Sequence, residues 1–394
     1  MSVARKMLAL GTKKSTIREI FEYGKRREQE VGVENVFDFS LGNPNAPLPP
    51  FIQKAAVDLL QADQGAHGYT IAPGAPQVRA ALAQSLSAHF PTPLTARNLF
   101  MTAGAAAALT ISFKALAEAG DEFLVIAPYF PEYLCFLESV GAKPVIVPPK
   151  PDDFQIDLEA MAELLNEKTK AVIINSPNNP SGAVYSEKTL RALAQLLNER
   201  QKQYDHPIYL ISDEPYREIV YDGACVPDVP KLYANTIICY SYSKSYSLAG
   251  ERIGYIALPN ELADFDEVLG AVAGAARVLT HVNAPVLWQK VIARCAGMPT
   301  DISLYEKNRR LLYDGLCQAG FTCTLPQGAF YLFPKALEAD DRAFCKKAQA
   351  FDLLFVPGSD FGCAGYFRAS YCIATKQIER SLPALEKLAA TYRG

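Results

Sequence analysis

A lysine at the end of an apolar run is the residue in this sequence whose surroundings most need a chemical explanation. In TIICYSYSKSYSLAGERIGYIALP, Lys244 stands among Ser241, Ser243 and Ser245 and precedes Arg252 by eight residues, within a Gly-x-Arg-x-Gly frame. An arbitrary lysine simply carries its ammonium to solvent. Here the hydroxyls and the guanidinium form an anion-binding set, and a desolvated lysine beside cationic groups has the lowered pKa that Schiff-base formation requires.

Four further segments place polar residues where an apolar run stops, and each also has a purely structural reading. In SDEPYREIVY, Asp213 ends the run PIYLI and Tyr216 follows three residues later. A helix cap would explain Asp213 as well if the segment stood alone. Beside a reactive amine, a buried carboxylate suits the task of keeping a ring nitrogen protonated, which turns the ring into an electron sink. In IINSPNNPSG, Asn179 precedes Pro180; turn chemistry accounts for the pattern, and the functional reading is an amide donor to a ring oxygen. In MTAGAAAALTISF, Gly104 opens a helix straight after a strand, so the N–H groups of Gly104, Ala105 and Ala106 would face an anion at the positive end of the helix dipole. Small residues there also serve close helix-to-sheet packing. In GYFRASYC, Arg368 offers a fork that takes a carboxylate bidentately, or else lies on an exposed strand face.

The elements that must hold these residues are legible between about residues 95 and 260, where β-type runs alternate with helical stretches. Seven strands are expected, at NLFMTA, EFLVIAP, KPVIVP, KAVIINSP, PIYLISDEP, TIICYSYS and RIGYIALP. Their near-continuous apolar character implies burial on both faces and hence an α/β fold with a mainly parallel seven-stranded sheet between helices. In such sheets ligands bind beyond the carboxyl ends of the strands, where Asp213, Asn179, Ser241 and Gly104 fall. After about residue 290 a long helix, the segment FTCTLPQGAFYLF, further helices and the β-type run GYFRASYCI indicate a smaller α+β domain. The expected division is an N-terminal arm or small-domain segment at 1–45, a large domain at 46–288 and a small domain at 289–394. The Pro-rich FDFSLGNPNAPLPP is expected to run as an arm over the surface or across to a partner subunit.

Composition excludes several functional classes. At 394 residues, 49% hydrophobic and 21% charged, with a net charge of -3, the chain is that of an ordinary globular protein without the basic stripe that nucleic acid or an acidic membrane surface demands. The nine cysteines are scattered, without a C-x-x-C pair, and read as reduced core residues; the four histidines are dispersed, so no metal site is expected. No uncharged 18-residue span occurs and the N-terminal apolar run is short for a signal peptide, which makes the cytoplasm the expected location.

Taken together, these motifs resemble the class I aminotransferases of the fold-type I pyridoxal-phosphate enzymes, in matching order from LGNP to the C-terminal arginine. The resemblance implies that Lys244 carries pyridoxal 5'-phosphate as a Schiff base and then moves the proton at the substrate α-carbon. It implies that Asp213 pairs the pyridine nitrogen, that Tyr216 and Asn179 bond the ring oxygen, and that Phe130 in APYFPEY stacks on the ring. The phosphate would be held by the Gly104, Ala105 and Ala106 backbone, Ser241 and Arg252, with Tyr69 reaching in from a second subunit of a homodimer. Arg368 would clamp the substrate α-carboxylate, helped by Asn179 and the Gly42 backbone.

Two departures from the family's pattern stand out. The loop Gly104-Ala105-Ala106 lacks the hydroxyls some members place there, and Arg277, near the turn HVNAP, is one residue out of register with the arginine that reads a distal carboxylate in the aspartate branch. The expected activity is a ping-pong transfer of an amino group from aspartate or an aromatic or apolar L-amino acid to a 2-oxo acid, 2-oxoglutarate foremost. The alternatives are β-elimination from cystathionine-type substrates on the same constellation, and a regulatory relative without catalysis.

Overall fold

The computed structural model describes residues 3–12, 16–62 and 67–393. These form two compact units: a larger one of residues 46–302 with 327–329, and a smaller one of 1–45, 303–326 and 330–394, masked residues aside.

The larger unit is built on seven strands, β1 (Leu99–Thr102), β2 (Glu122–Ile126), β3 (Lys143–Val147), β4 (Thr169–Asn175), β5 (Tyr209–Asp213), β6 (Thr236–Ser241) and β7 (Gly254–Ala257). They lie in the order β1-β7-β6-β5-β4-β2-β3. Only β7 is antiparallel to its neighbours, β1 and β6. The six other strands therefore finish at one edge of the sheet, and β7 begins there.

Side chains alternate across this sheet because the β period is two. Phe100, Val125, Ile173, Ile211, Ile237 and Cys239 point to one face, where the helices Ala105–Leu116 and Phe265–Val278 cover them. Leu124, Ile126, Val172, Ile174 and Leu210 point to the other, against Leu190, Leu193 and Leu197 of the helix Glu187–Tyr204. With both faces covered, the strands need apolar residues at nearly every position, which is why they are conspicuous in the sequence.

The larger unit runs past the expected boundary at 288 because the helix Val286–Arg294 belongs to its core. Val291 and Ile292 pack in one cluster with Ile52, Val78 and Leu82. The long helix expected beyond it is Ser303–Ala319, in the smaller unit.

In the smaller unit, the segment FDFS departs from the expected surface arm. Phe37–Asp38 pairs in parallel with Leu353–Leu354, and Phe39 and Ser40 are fully buried. The prolines begin only at Pro44, so the backbone donors of Phe37 and Phe39 remain free to bond Asp352 and Leu354. A three-stranded antiparallel sheet sets Phe367–Ser370 between Val356–Pro357 and Tyr331–Leu332. The cysteines are not uniformly core residues: Cys239, Cys295, Cys345, Cys363 and Cys372 are buried, whereas Cys225 and Cys317 are exposed. No helix among the described residues is long and apolar enough to cross a membrane.

Candidate active site

At the sheet edge where six strands end, the geometry is set first by glycines. Gly254 stands in register with both Thr102 and Ser241. A Cβ at Gly254 would lie 2.2 Å from the Tyr240 carbonyl oxygen and 3.1 Å from Gly104 Cα, so only glycine lets β7 lie this close. Gly104 has a left-handed φ of 82°, and a Cβ there would fall 2.8 Å from Arg252 Nη2. Arg252 is itself left-handed, φ 53°, and its Nη2 donates to the Ala103 carbonyl at 3.1 Å while Nη1 donates to that of Ala249 at 2.9 Å. The guanidinium thus lies beside Gly104, next to the N-terminus of the twelve-residue helix Ala105–Leu116, whose first N–H groups have no partner within the helix.

The other half of this cradle comes from the end of β6. Ser241 Oγ accepts from the Ser243 N–H at 3.2 Å and lies 2.7 Å from Ser243 Oγ, capping the short turn of helix Tyr242–Ser245 that carries Lys244. Lys244 is half-buried. Ser245 does not join the expected anion set. Its Oγ meets Tyr240 Oη at 2.9 Å, and Tyr240 Oη donates to Glu218 Oε2 at 2.8 Å.

Asp213 ends β5 on the sheet face of Ile211 and Cys239 and is 5% exposed. Its Oδ2 accepts from Tyr133 Oη at 2.5 Å, while Oδ1, equally buried, has no hydrogen-bond partner among the described residues. Burial pushes the Asp213 pKa up to about 7, opposed by the Tyr133 hydrogen bond and assisted by the charge of Glu214. Tyr216 is buried three residues on. Asn179 is held by Asn175, whose Oδ1 accepts from the Asn179 N–H at 2.7 Å and whose Nδ2 donates to the Asp213 carbonyl at 2.9 Å. Phe130, half-buried, meets the Tyr133 ring edge-on at 5.6 Å.

In the smaller unit, Arg368 is 3% exposed, which removes the reading of an arginine on an open strand face. Its guanidinium lies over the rings of Tyr331 (4.6 Å) and Phe361 (4.9 Å), and Nη2 donates to the Ser40 carbonyl at 2.5 Å. Gly42 is required beside it, because a Cβ would fall 2.0 Å from Tyr331 Oη. Tyr69 is 89% exposed, and Arg277 is exposed in the last turn of the helix Phe265–Val278.

Sequence reasoning missed Tyr133 and Asn175. Tyr133 sits at the start of the helix Glu132–Val140, which Phe130 precedes, and no pattern in the sequence marks it; Asn175 is a polar residue closing the apolar run Ala171–Ile174, a signal that stood in the sequence.

The carboxyl edge of the sheet thus gathers glycines beside a guanidinium and a helix N-terminus, a lysine on the adjoining turn, and a buried carboxylate with one oxygen open among the described residues. The family model for aminotransferase class I and II matches residues 34–385, and the chain belongs to that family. It is 31% identical over 377 residues to a probable aspartate/prephenate aminotransferase of Aquifex aeolicus, covering 92% of this chain and 93% of that one. A crystal structure of an amino transferase from Eubacterium rectale superposes with a TM-score of 0.98 at 51% identity, over the whole of both chains. The aspartate aminotransferase of Thermus thermophilus with maleate superposes at 0.84 with 27% identity, over 98% of this chain and all of that one. The chain is a transaminase.

Aminotransferases of this family use pyridoxal phosphate, and the residues present fit it. The open, buried Oδ1 of Asp213 suits a protonated ring nitrogen. The cradle that a Cβ at Gly104 would fill suits a phosphate.

Proposed function

We propose that this transaminase holds pyridoxal 5'-phosphate on Lys244 and moves the amino group of L-aspartate to 2-oxoglutarate. The two half-reactions run in turn, the donor leaving as its 2-oxo acid before the acceptor enters. The observation that carries the cofactor assignment is the Asp213 carboxylate, buried with one oxygen unpartnered among the described residues, at the sheet edge that also bears Lys244.

When bound, the cofactor supplies an electron sink for the substrate α-carbon. The side chains of this protein do the rest. Asp213 keeps a proton on the ring nitrogen through Oδ1. Tyr216 Oη and Asn179 Nδ2 donate to the ring oxygen, and Phe130 packs on the ring. The N–H groups of Gly104, Ala105 and Ala106 bind the phosphate together with Ser241 Oγ and Arg252, so backbone donors replace the hydroxyls missing from that loop. Lys244 Nζ would take the proton from the substrate α-carbon and hold it for the next step. Arg368 receives the substrate α-carboxylate, aided by Asn179 and the Gly42 backbone.

A second copy of the chain completes the site by bringing in Tyr69. Supporting this, Tyr69 and Ile71, at 89% and 54% exposed, and Val278 and Val282, at 69% and 63%, leave apolar side chains open on the loop at 69–71 and at the C-terminal end of the helix Phe265–Val278. The first of these segments is anchored to the sheet, because the Met101 N–H donates to the Pro73 carbonyl at 2.9 Å. Aspartate as donor is favoured by the aspartate-named relatives, and the exposed Arg277, though one residue out of register, is our candidate for a distal carboxylate.

The deciding experiment is Lys244→Ala. Turnover of aspartate with 2-oxoglutarate should vanish while pyridoxal phosphate still binds without a covalent link. Retained turnover in that variant would remove Lys244 from the chemistry.

A further inference from the structure

Among the described residues, one side chain beside the Asp213 carboxylate stabilises its charge. From β6, Cys239 stands opposite in register, Glu214 acts only through its charge from the other face of the sheet, and Tyr216 acts on Tyr133 from the chain just beyond β5. Tyr185 faces Tyr133 from the segment before the helix Glu187–Tyr204. None of these is a cation. From the helix Glu132–Val140, Tyr133, 2% exposed, donates to Oδ2 at 2.5 Å. It is the single side-chain donor to this carboxylate among the described residues.

Resting on Asp213 as the partner of the ring nitrogen, we propose that Tyr133 is a positioning residue that sets the proton linkage of cofactor loading. By occupying Oδ2 it leaves Oδ1 as the oxygen for the ring, and it limits how often Asp213 carries a proton before the cofactor arrives. The physical steps are short. A hydrogen bond donated to a carboxylate favours its charged form, and burial opposes it. The opposition leaves Asp213 at about 7, so the cofactor-free protein is partly protonated there at neutral pH. Tyr133 stays a donor, because burial and the Asp213 charge hold its own pKa well above the ordinary phenol value. A ring that arrives protonated needs the carboxylate, and the Asp213 proton is then released to solvent. Affinity for such a ring rises with pH as Asp213 ionises.

The test is calorimetric titration of pyridoxal 5'-phosphate into cofactor-free full-length protein, from pH 6 to 8, in buffers of different ionisation enthalpy. In Tyr133→Phe the rising limb of affinity should move to higher pH, more protons should be released per cofactor at pH 7, and affinity there should fall about tenfold. Tyr133→Phe could disturb folding, so 3-fluorotyrosine at position 133 alone provides a variant of nearly unchanged shape and a stronger donor. Its limb should move to lower pH. In an Asp213→Asn background, exchange at position 133 should no longer move the limb. Coincident limbs in the native, phenylalanine and fluorotyrosine proteins, or a limb that still moves with residue 133 in the Asp213→Asn background, would overturn the role of Tyr133. Failure of the native protein to bind pyridoxal phosphate at all would instead remove the cofactor reading beneath it.

Discussion

Two neighbouring carboxylates at the end of β5 have opposite fates. Asp213 turns to the face of Cys239, and Glu214 to the face of Ile238 and Tyr240. Both are buried, and burial raises the pKa of both. Glu214 is nonetheless complete: Oε1 accepts from Ser212 Oγ at 2.7 Å and Oε2 from Arg217 Nη1 at 3.2 Å. Arg217 is held in turn by Glu218 Oε1 and the Tyr255 hydroxyl and lies 4.7 Å over the Tyr240 ring. Asp213 has a neutral phenol on one oxygen and, among the described residues, no partner on the other. A carboxylate buried at equal depth is structural when its partners come from its own chain, and available for chemistry when one is missing.

The contrast can be broken at either residue. Replacing Asp213 with Asn should lower turnover on the order of 10³-fold with the fold intact, since it removes the charge opposite the ring nitrogen. The same variant has a stability signature. The folded protein holds the Asp213 proton more tightly than the unfolded chain, so that contribution is full below about pH 4 and is lost as pH rises through about 7. Between pH 5 and pH 8 the loss is roughly 2.5 kcal/mol in the cofactor-free native protein and absent from the Asn variant, which denaturant titrations at those two pH values would compare. Glu214→Ala should do the reverse. It leaves Arg217 short of a buried partner and should cost roughly 3 kcal/mol of stability, seen as a lower Tm, with turnover per folded molecule nearly kept. Equal loss of turnover in the two variants would erase the distinction. The smallest effect belongs to Tyr240→Phe, which removes the bonds to Glu218 and Ser245 but keeps the ring under Arg217. It should lower stability by about 1 kcal/mol and barely alter turnover.

The same two residues explain what the sequence could convey. Strand β5 was legible because Leu210 and Ile211 face opposite covered sides, and Asp213 because it interrupts such a run. Which of Asp213 and Glu214 keeps an open oxygen depends on Tyr133 and Arg217, brought in from other segments, and no local pattern states that pairing. Ser245 shows the limit from the other direction: its place beside Lys244 suggested the anion cradle, yet a short helical turn aims it at Tyr240. In the smaller unit most strands are only two residues long, too short for an alternating pattern, so Phe37–Asp38 looked like part of an arm until its partner Leu353–Leu354 was in place.

Gly254 carries a consequence for anyone redesigning this edge. The width of the anion cradle is fixed by one backbone lying against another, with no side chain between Gly254, the Tyr240 carbonyl and Gly104. Exchanging Ser241 or Ser243 would change what lines the cradle and leave its dimensions alone. Selection from a randomised library should accordingly tolerate many replacements among the serines and return almost nothing but glycine at position 254, making a residue without functional groups the least negotiable part of the specification.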